Sequence, residues 1–302
     1  MRIGIDLGGT KMEAALMDAE GRIGARVRAP TPHAYAPFLA AIATLVAETE
    51  AEAGVRADVV GVASPGSLSP VTGLARNSNS TWINGRPLLQ DLTRAFGRPV
   101  RIANDANCFA LSEATDGAGK GAHVVFGAIL GTGCGGGVVV DGRVIEGASG
   151  IAGEWGHIPL PWPRGDELPF EPCWCGRPGC LETWISGSGL ARWGSQTLGR
   201  SLKAEEIVAA SRAGDAGAQA CMTLYCDRLA RALAIIIDIL DPDIIVLGGG
   251  LSNVEEIYDG VREKLPPYVF SDLIGARIVK NVHGDSSGVR GAAWLWRPEE
   301  IA

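Results

Sequence analysis

The residues best suited to chemistry lie within residues 153–182, where one histidine and three cysteines occur close together. Cys173, Cys175 and Cys180 have the spacing C-x-C-x4-C on a backbone rich in glycine and proline, and His157 precedes them. One nitrogen and three sulfur donors are typical ligands of zinc. Because four protein ligands would leave no coordination position for water, the predicted ion is structural and catalysis must use other residues.

Two alternative interpretations of this cluster are weaker. Four unrelated buried side chains are disfavoured because the segment Trp174–Gly179 has no periodic apolar face. Disulfides are disfavoured because the chain opens directly into a predicted strand without a secretory signal, so we expect a cytoplasmic protein with reduced thiols. The remaining cysteines are scattered and are predicted to be ordinary small buried residues: Cys108, Cys134, Cys221 and Cys226.

Composition restricts the class of protein. The 302 residues are 46% hydrophobic and 20% charged, which suits a globular protein with a full core, and the length favours two lobes. The formal charge of −7 and the lack of a basic run argue against nucleic acid as a partner. The apolar run within Ala232–Leu240 is interrupted by Asp238 and is too short to span a bilayer. We therefore expect no nucleic-acid or membrane partner.

Two halves of the chain repeat one pattern of strand, glycine turn and returning strand. Arg2–Leu7 is followed by the turn Gly8–Lys11, and Val124–Leu130 is followed by the turn Gly131–Gly133. The second copy continues into Gly136–Val140 and an Asp-Gly pair that suits a hairpin turn. The repeat predicts a duplicated α/β domain with one glycine turn in each copy. Such turns present backbone N–H groups to phosphate oxygens.

The rest of the chain supplies further strands and helices. The order of residues in Gly8–Lys11 excludes a Walker P-loop. A third glycine turn, Gly248–Gly250, follows the buried strand Ile244–Leu247 and would suit adenine and ribose lying on bare backbone. Val100–Ala103 is predicted to be a strand that ends in a polar turn. Helices are predicted over Pro37–Gly54, Leu88–Phe96, Cys108–Ala114, Ile185–Leu198, Ala204–Arg212, Ala218–Leu240, Val254–Leu265 and Val289–Trp296.

In chain order, these motifs resemble those of the ROK family of sugar kinases and repressors. They are Asp6-Leu7-Gly8-Gly9-Thr10-Lys11, Asn104-Asp105-Ala106-Asn107, Gly131-Thr132-Gly133, Gly153-Glu154-Trp155-Gly156-His157, Cys173-x-Cys175-Gly-x-x-Gly179-Cys180-x-Glu182 and Gly248-Gly249-Gly250. Three further segments resemble the bacterial fructokinase (mannofructokinase) branch of that family: Pro65-Gly66-Ser67, residues 77–82 and residues 283–291.

The resemblance implies an α/β fold of the duplicated actin and hexokinase type, which is a ribonuclease H-like ATPase with two lobes. The N-terminal lobe would comprise residues 1–119 and the C-terminal lobe residues 120–302, with the zinc loop at 153–182. The closing segment 289–302 would pack back on the N-terminal lobe. The implied activity is transfer of phosphate from ATP to the 6-hydroxyl of a hexose, with D-fructose as the expected acceptor, by a homodimer.

The resemblance also assigns roles to individual residues. Asp105 would be the general base that accepts the proton of the sugar hydroxyl, and Asp6 would hold Mg²⁺ through water. The sugar would be bound by Gly66, Asn79, Asn104, Asp105, Glu154, His157 and Glu182. ATP would contact Asp6, Gly8, Gly9, Thr10, Lys11, Gly131, Thr132, Gly133, Gly248, Gly249 and Gly250. Lys11 is equally consistent with a solvated surface charge. Structural Zn²⁺ would be bound by His157, Cys173, Cys175 and Cys180, and would hold His157 and Glu182 in place.

Other functions of the same family are alternatives to fructose phosphorylation. An N-acetylglucosamine kinase or a glucokinase would carry the same phosphate-binding turns and the same base. A sugar-responsive repressor is disfavoured because Asp6 lies at the start of the chain, which leaves no room for a preceding DNA-binding region, and because the net charge is negative. A sugar-binding module without catalysis is disfavoured by the intact Asp105 and glycine turns.

Overall fold

The computed structural model describes residues 1–301, without the side chain of Asp166. The strands are β1 (Arg2–Leu7), β2 (Lys11–Met17), β3 (Ile23–Pro30), β4 (Val59–Ser64), β5 (Ser67–Leu68), β6 (Ala75–Arg76), β7 (Val100–Asn104), β8 (Val124–Leu130), β9 (Cys134–Val140), β10 (Arg143–Val144), β11 (Ile244–Gly248) and β12 (Arg277–Lys280). The helices are α1 (Tyr35–Ala53), α2 (Leu88–Phe96), α3 (Asp105–Asp116), α4 (Glu182–Ile185), α5 (Gly187–Leu198), α6 (Ala204–Arg212), α7 (Ala216–Leu240), α8 (Glu256–Lys264) and α9 (Ser287–Trp294).

Two five-stranded sheets have the same strand order. The first runs β3-β2-β1-β4-β7, with β1, β4 and β7 parallel and β2 and β3 antiparallel to their neighbours. The second runs β10-β9-β8-β11-β12, in which β8, β11 and β12 are parallel. The central parallel strands β4 and β11 are buried along their whole length, and β1 is buried except at the half-buried Asp6, as expected for parallel strands inside an α/β domain. The predicted duplicated α/β fold is therefore confirmed.

The chain forms two compact units. Unit 1 contains Met1–Gly121, Gly137–Ala152 and the residues from His283 onward, and unit 2 contains Ala122–Gly136 and Gly153–Val282. The chain passes from one unit to the other within β9, and α9 belongs to unit 1. The division into lobes after residue 119 stays a prediction.

In unit 1, α9 packs on its neighbours backbone to backbone through glycines. A Cβ atom on Gly61 of β4 would lie 1.7 Å from the carbonyl oxygen of Ala292, and one on Gly291 would lie 1.7 Å from the carbonyl oxygen of Cys108 in α3. No side chain fits at such distances, so these positions require glycine. The close packing fixes α3 against α9, and α3 carries Asp105 in its first turn.

The local predictions include one confirmed hairpin turn and two helices whose predicted extent is wrong. Asp141 and Gly142 have φ values of 49° and 68°, as the predicted hairpin turn requires. The predicted helix Cys108–Ala114 is wrong at its start, because Asn104 caps the helix and α3 already begins at Asp105. The predicted helix Ile185–Leu198 is wrong in its continuity, because Ser186 interrupts it and caps α5 by accepting from the backbone N–H of Gly189.

The structure adds one strand to those predicted and contains no candidate membrane span among the described helices. The edge strand β12 was absent from the sequence prediction, because its four residues have no glycine turn or long apolar run of their own. In the described part of the chain, no helix combines the length and the apolarity that crossing a bilayer requires.

Candidate functional site

The predicted base lies at the N-terminus of α3 in unit 1. The backbone N–H of Ala106 donates to Asn104 Oδ1 at 2.9 Å and to Asp105 Oδ1 at 2.8 Å. Asn104 Nδ2 donates to the carbonyl oxygen of Gly66 at 3.0 Å. The amide of Asn104 is thus held at both ends, while the Asp105 side chain is exposed. The first turn of α3 therefore presents the carboxyl group of Asp105 at the surface of unit 1.

A small cavity of about 90 Å³ adjoins these residues. Its polar lining comes from Ser64, Gly66, Ser67, Asn104, Asn107 and Glu146. Gly66 has φ = 80°, and a Cβ atom there would lie 2.3 Å from the carbonyl oxygen of Arg76 in β6. Only glycine therefore fits at this position beside β6. Asn79 is exposed in the neighbouring loop, which is held by Asn84 through its side-chain hydrogen bonds with the backbone of Ser78.

A second carboxyl group of unit 1, that of Asp6, interacts electrostatically with Asp105. Burial and the nearby charge of Asp105 raise the pKa of Asp6 from its usual 3.8 to about 7. A Cβ atom on Gly288 would lie 2.4 Å from Asp6 Oδ2, so α9 approaches this carboxyl group closely. The adjacent turn Gly8–Lys11 is held by Thr31, whose hydroxyl donates to the carbonyl oxygen of Gly8 at 2.7 Å. Lys11 is exposed at the start of β2.

The raised pKa of Asp6 predicts an effect on stability. Its folded pKa of about 7 exceeds its usual 3.8, so Asp6 favours the folded state most below pH 4, and this contribution is lost as pH rises to about 7. Asp6→Asn is therefore expected to raise the melting temperature by several degrees at pH 8 without Mg²⁺, and to change it little at pH 4. Scanning calorimetry across this pH range measures the difference.

The matched control for this prediction is Asp272→Asn, which replaces an exposed aspartate. It should shift the melting temperature little at either pH. If the melting temperatures of Asp6→Asn and wild type differed by the same amount at pH 4 and pH 8, ionisation of Asp6 would not destabilise the folded state, and the prediction would be wrong.

In unit 2, two glycine turns meet at a cavity with a volume of about 680 Å³. Gly131, Thr132 and Gly250 lie in its wall, together with Ser188, Lys203 and Arg212 from the neighbouring helices. Gly249 instead packs on the other turn, because a Cβ atom there would lie 2.7 Å from the backbone nitrogen of Gly131. Gly248 is buried at the end of β11. Backbone groups and basic side chains together suit a nucleotide.

The predicted metal ligands converge in unit 2. Donor atoms of His157, Cys173, Cys175 and Cys180 all lie within 4.8 Å of one another. Cys173 Sγ is 3.6 Å from His157 Nδ1, and Cys175 Sγ is 3.6 Å from Cys180 Sγ. Neighbouring ligands of a tetrahedral zinc ion are separated by about 3.6 Å, given its usual bond lengths. The four residues therefore fit Zn²⁺ in both type and spacing.

The environment of the cysteines also suits thiolate ligands. Burial acts against the Cys175 thiolate, but hydrogen bonds from Arg177 and from the two neighbouring thiols lower the pKa of Cys175 to about 6. None of the described cysteines forms a disulfide. The four scattered ones are buried as predicted: Cys108, Cys134, Cys221 and Cys226.

Glu182 is held by the segment that carries the cysteine cluster and by a glycine turn. Trp174 Nε1 donates to Glu182 Oε1 at 2.6 Å, and the backbone N–H of Cys134 donates to Glu182 Oε2 at 3.0 Å. A Cβ atom on Gly133 would lie 2.7 Å from Glu182 Oε2, so this turn approaches the carboxyl group closely. Trp174 also contacts the His157 ring edge to face. Partial desolvation raises the pKa of Glu154, although its side chain still reaches solvent.

Comparison with known proteins decides the family. The sequence matches the profile of the ROK family over residues 2–299. The chain belongs to the ROK family. An N-acetyl-D-glucosamine kinase from Salmonella heidelberg (strain SL476) is 42% identical over 300 residues, which cover 98% of this chain and 99% of the relative.

Solved ROK structures share the fold. A ROK hexokinase from Thermus thermophilus has a TM-score of 0.86 and 34% identity, covering 97% of this chain and 96% of its own. A ROK family glucokinase from Streptomyces griseus, solved with glucose and AMPPNP, has a TM-score of 0.79 and 29% identity, covering 97% and 98% of the two chains. The two-lobe, hexokinase-like fold expected from the ROK resemblance is therefore confirmed.

Within this ROK chain, the structure groups the predicted residues unit by unit. Unit 1 brings Asn104 and Asp105 to Gly66, and unit 2 brings His157 and Glu182 to the cysteines. Sequence reasoning missed the bond between Trp174 and Glu182. It also missed Asn107, which lines the small cavity and whose buried Oδ1 has no hydrogen-bond partner within the described chain. Its place two residues after Asp105 in a polar turn was the available signal.

Proposed function

We propose that this ROK protein transfers phosphate from ATP to the 6-hydroxyl of a hexose and that N-acetyl-D-glucosamine is its preferred acceptor. The observation that carries the proposal is the 42% identity to an N-acetyl-D-glucosamine kinase over nearly the whole of both chains. The glucokinase solved with glucose and AMPPNP supports a sugar and a nucleotide as the two ligands.

The preference for fructose expected from the sequence is not supported by these relatives. N-acetylglucosamine, which the sequence left open as an alternative, has their support. The two acceptors are hard to separate by contact residues, because hydroxyl-binding amides and carboxylates suit any neutral hexose. We therefore keep fructose and glucose as slower acceptors.

In unit 1, Asp105 would accept the proton of the 6-hydroxyl as its oxygen attacks the γ-phosphorus. The hydrogen bonds of Asn104 to Gly66 and Ala106 fix its amide, so that the sugar is oriented without reordering this turn. Gly66 and Asn79 would supply further sugar contacts. Phosphoryl transfer depends mainly on positioning, and α3 meets this need because its close packing on α9 fixes it.

The nucleotide would use the glycine turns. In unit 2, the cavity beside Gly131, Thr132 and Gly250 would hold adenosine, with Lys203 and Arg212 as basic neighbours. In unit 1, the turn Gly8–Lys11 would present backbone N–H groups to phosphate. Asp6 would hold Mg²⁺ through water, and the positive charge of the ion would keep this half-buried carboxyl group ionised despite its raised pKa.

In unit 2, we propose that Glu154, His157 and Glu182 contact the sugar and that structural zinc supports two of them. A zinc ion on His157 Nδ1 would fix the ring and leave Nε2 for a hydroxyl. The ion would also fix Trp174, which lies between two ligands and donates to Glu182. Bound zinc supplies rigidity here and takes no part in phosphate transfer.

A substrate panel tests the proposed acceptor. With Mg²⁺-ATP under one set of conditions, we expect kcat/KM for N-acetylglucosamine to exceed that for glucose, mannose and fructose by about tenfold or more, since a site built to bind an acetamido group leaves polar groups unpaired with other sugars. A coupled assay of ADP release measures the four values.

Each other outcome of this panel has a definite meaning. A lead of glucose, mannose or fructose would overturn the proposed preference for N-acetylglucosamine, and a lead of fructose would restore the acceptor expected from the sequence. Activity with none of the four sugars would overturn the hexose kinase proposal itself. Release of ADP without sugar would have to be subtracted, because water competes for the same phosphate.

A further inference from the structure

The connection between the first predicted metal ligand and the second is a long loop. Fifteen residues, 158–172, separate His157 from Cys173, and within them the structure describes only one helical turn, at Gly165–Glu167. A connection of this length without regular structure would have to be ordered each time the ion binds, at a cost in conformational entropy. Any contact that orders it beforehand therefore favours metal binding.

The contact that orders it is a buried carboxylate. Glu167 is 1% exposed and lies against α7, whose Arg228 and Arg231 are 3% and 0% exposed. Arg228 Nε donates to Glu167 Oε1 at 2.9 Å, and Arg231 donates to Oε1 at 2.5 Å and to Oε2 at 2.9 Å. The backbone N–H of Arg164 donates to Oε2 at 2.9 Å. Burial alone would raise the pKa of Glu167, but these hydrogen bonds lower it to about 2.

Arg231 also binds the loop backbone directly. Its Nη1 donates to the carbonyl oxygens of Pro161 and Trp162 at 2.9 and 3.0 Å, and its Nε donates to Asp227 Oδ2 at 3.1 Å. Trp162 in turn stacks on Tyr268. The middle of the connection is therefore held on α7 by charge-assisted hydrogen bonds that are buried from solvent, where such bonds are strong.

The same helix holds the chain after the last ligand. Arg228 lies 4.4 Å from the ring centroid of Trp184, which follows Cys180 by four residues, and the hydroxyl of Tyr225 donates to the carbonyl oxygen of Ile185 at 2.9 Å. The ligand segment Cys173–Cys180 thus begins and ends near two anchor points on α7. Arg228 contributes to both of them.

We infer that Glu167 is a positioning residue of the metal site: with Arg228 and Arg231 it holds the connection on α7, so that His157 and the cysteines are in place before zinc binds. The inference rests on the zinc site proposed above. It goes beyond that proposal because none of the three residues is a ligand and because the effect is on metal retention.

The test uses the zinc-loaded full chain and a chromogenic chelator in excess. Glu167→Gln keeps the size of the side chain but removes the charge between two buried guanidinium groups. We expect zinc release at least about tenfold faster than in wild type, in the range found when residues that support metal ligands are changed. Zinc affinity from chelator competition should fall by a similar factor.

The matched control is Glu171→Gln. Glu171 lies in the same connection and closer to Cys173, but its ion pair with Arg192 is partly exposed, with side chains 37% and 30% accessible. Exposed pairs contribute little, so this variant should release zinc at the wild-type rate. The global unfolding rate is measured in the same buffer for each variant, and zinc release from Glu167→Gln should remain faster than unfolding.

The outcomes separate the two proposals. Wild-type protein without zinc would refute the metal site itself. Zinc-loaded wild type with unchanged release from Glu167→Gln, or with release that merely follows global unfolding, would refute the positioning role while leaving the site intact. If Glu167→Gln does not fold, the milder Glu167→Asp replaces it, with the same expected direction and the same refuting result.

Discussion

Asp105→Asn is expected to lower kcat by about 10²–10⁴-fold, the range for a positioned acid or base group. The amide keeps the shape of the side chain and the hydrogen bond from the backbone N–H of Ala106, so α3 should still begin at this residue. An amide cannot accept the proton of the sugar hydroxyl. Coupled ADP release measures kcat, and calorimetry with the sugar alone measures binding, which should change little.

The control for Asp105→Asn is Asp91→Asn, which changes an aspartate in the first turn of α2 and leaves the α3 turn intact. It should retain nearly the full rate. If Asp105→Asn kept more than about a tenth of the wild-type kcat, another residue would have to be the base, and Glu154→Gln would be the next variant to make. Loss of sugar binding together with kcat would instead indicate that Asp105 mainly orients the acceptor.

The duplicated sheet could be predicted because its signal is local. Each copy has a largely apolar strand followed by glycines, as in Val124–Leu130 and the turn after it. The convergence of His157 with the three cysteines could be predicted for the same reason, since their residue types and spacing are visible in the sequence. Parallel strands buried on both faces and tight glycine turns leave patterns that do not depend on distant parts of the chain.

The contacts that support the site could not be predicted, because they join distant residues. The sequence indicated that α7 is a largely apolar helix, yet Arg228 and Arg231 are buried in it and paired with Glu167, more than sixty residues earlier. Neither the helical period nor the loop composition indicates such a pair. The need for glycine at positions facing α9, such as Gly61, likewise could not be predicted, because it depends on the close contact with the backbone of Ala292.

The acceptor sugar was the least predictable feature. Motifs such as Pro65-Gly66-Ser67 favoured fructose, whereas the similarity over the whole chain favours N-acetylglucosamine. The polar residues that would contact the ring, among them Asn104 and Glu182, bind hydroxyl groups that most hexoses share. Discrimination between such sugars depends on a few hydrogen bonds worth about 1–3 kcal/mol each when left unpaired, and these depend on cavity shape more than on residue type.

Cys175→Ser is expected to remove the bound zinc and to weaken sugar binding while leaving nucleotide binding nearly unchanged. Wild-type protein should contain close to one equivalent of zinc, and the variant less than about a tenth, because a serine hydroxyl is a poor zinc ligand compared with a thiolate. Cys175 is the least buried of the three cysteines, so its replacement disturbs packing least. Elemental analysis gives the zinc content, and calorimetry gives the two affinities.

Sugar binding and nucleotide binding are expected to respond differently because they would use different residues of unit 2. Without the ion, the ring of His157 and the segment with Trp174 lose their support, and Trp174 is the side chain that donates to Glu182. Structural zinc contributes folding energy directly, so the melting temperature should fall as well. The cavity that we propose for the nucleotide is lined by Gly131, Gly250 and residues of neighbouring helices, and none of the predicted metal ligands lines it.

Cys221→Ser is the matched control, because Cys221 is 1% exposed and lies outside the ligand cluster. It tests the loss of a buried thiol alone and should keep its zinc and its sugar affinity. Active wild-type protein with less than about a tenth of an equivalent of zinc would refute the structural ion. Zinc loss from Cys175→Ser with unchanged sugar affinity would show that the ion stabilises the loop but does not position His157 and Glu182, because a sugar contact that depends on the ion must weaken when the ion is removed.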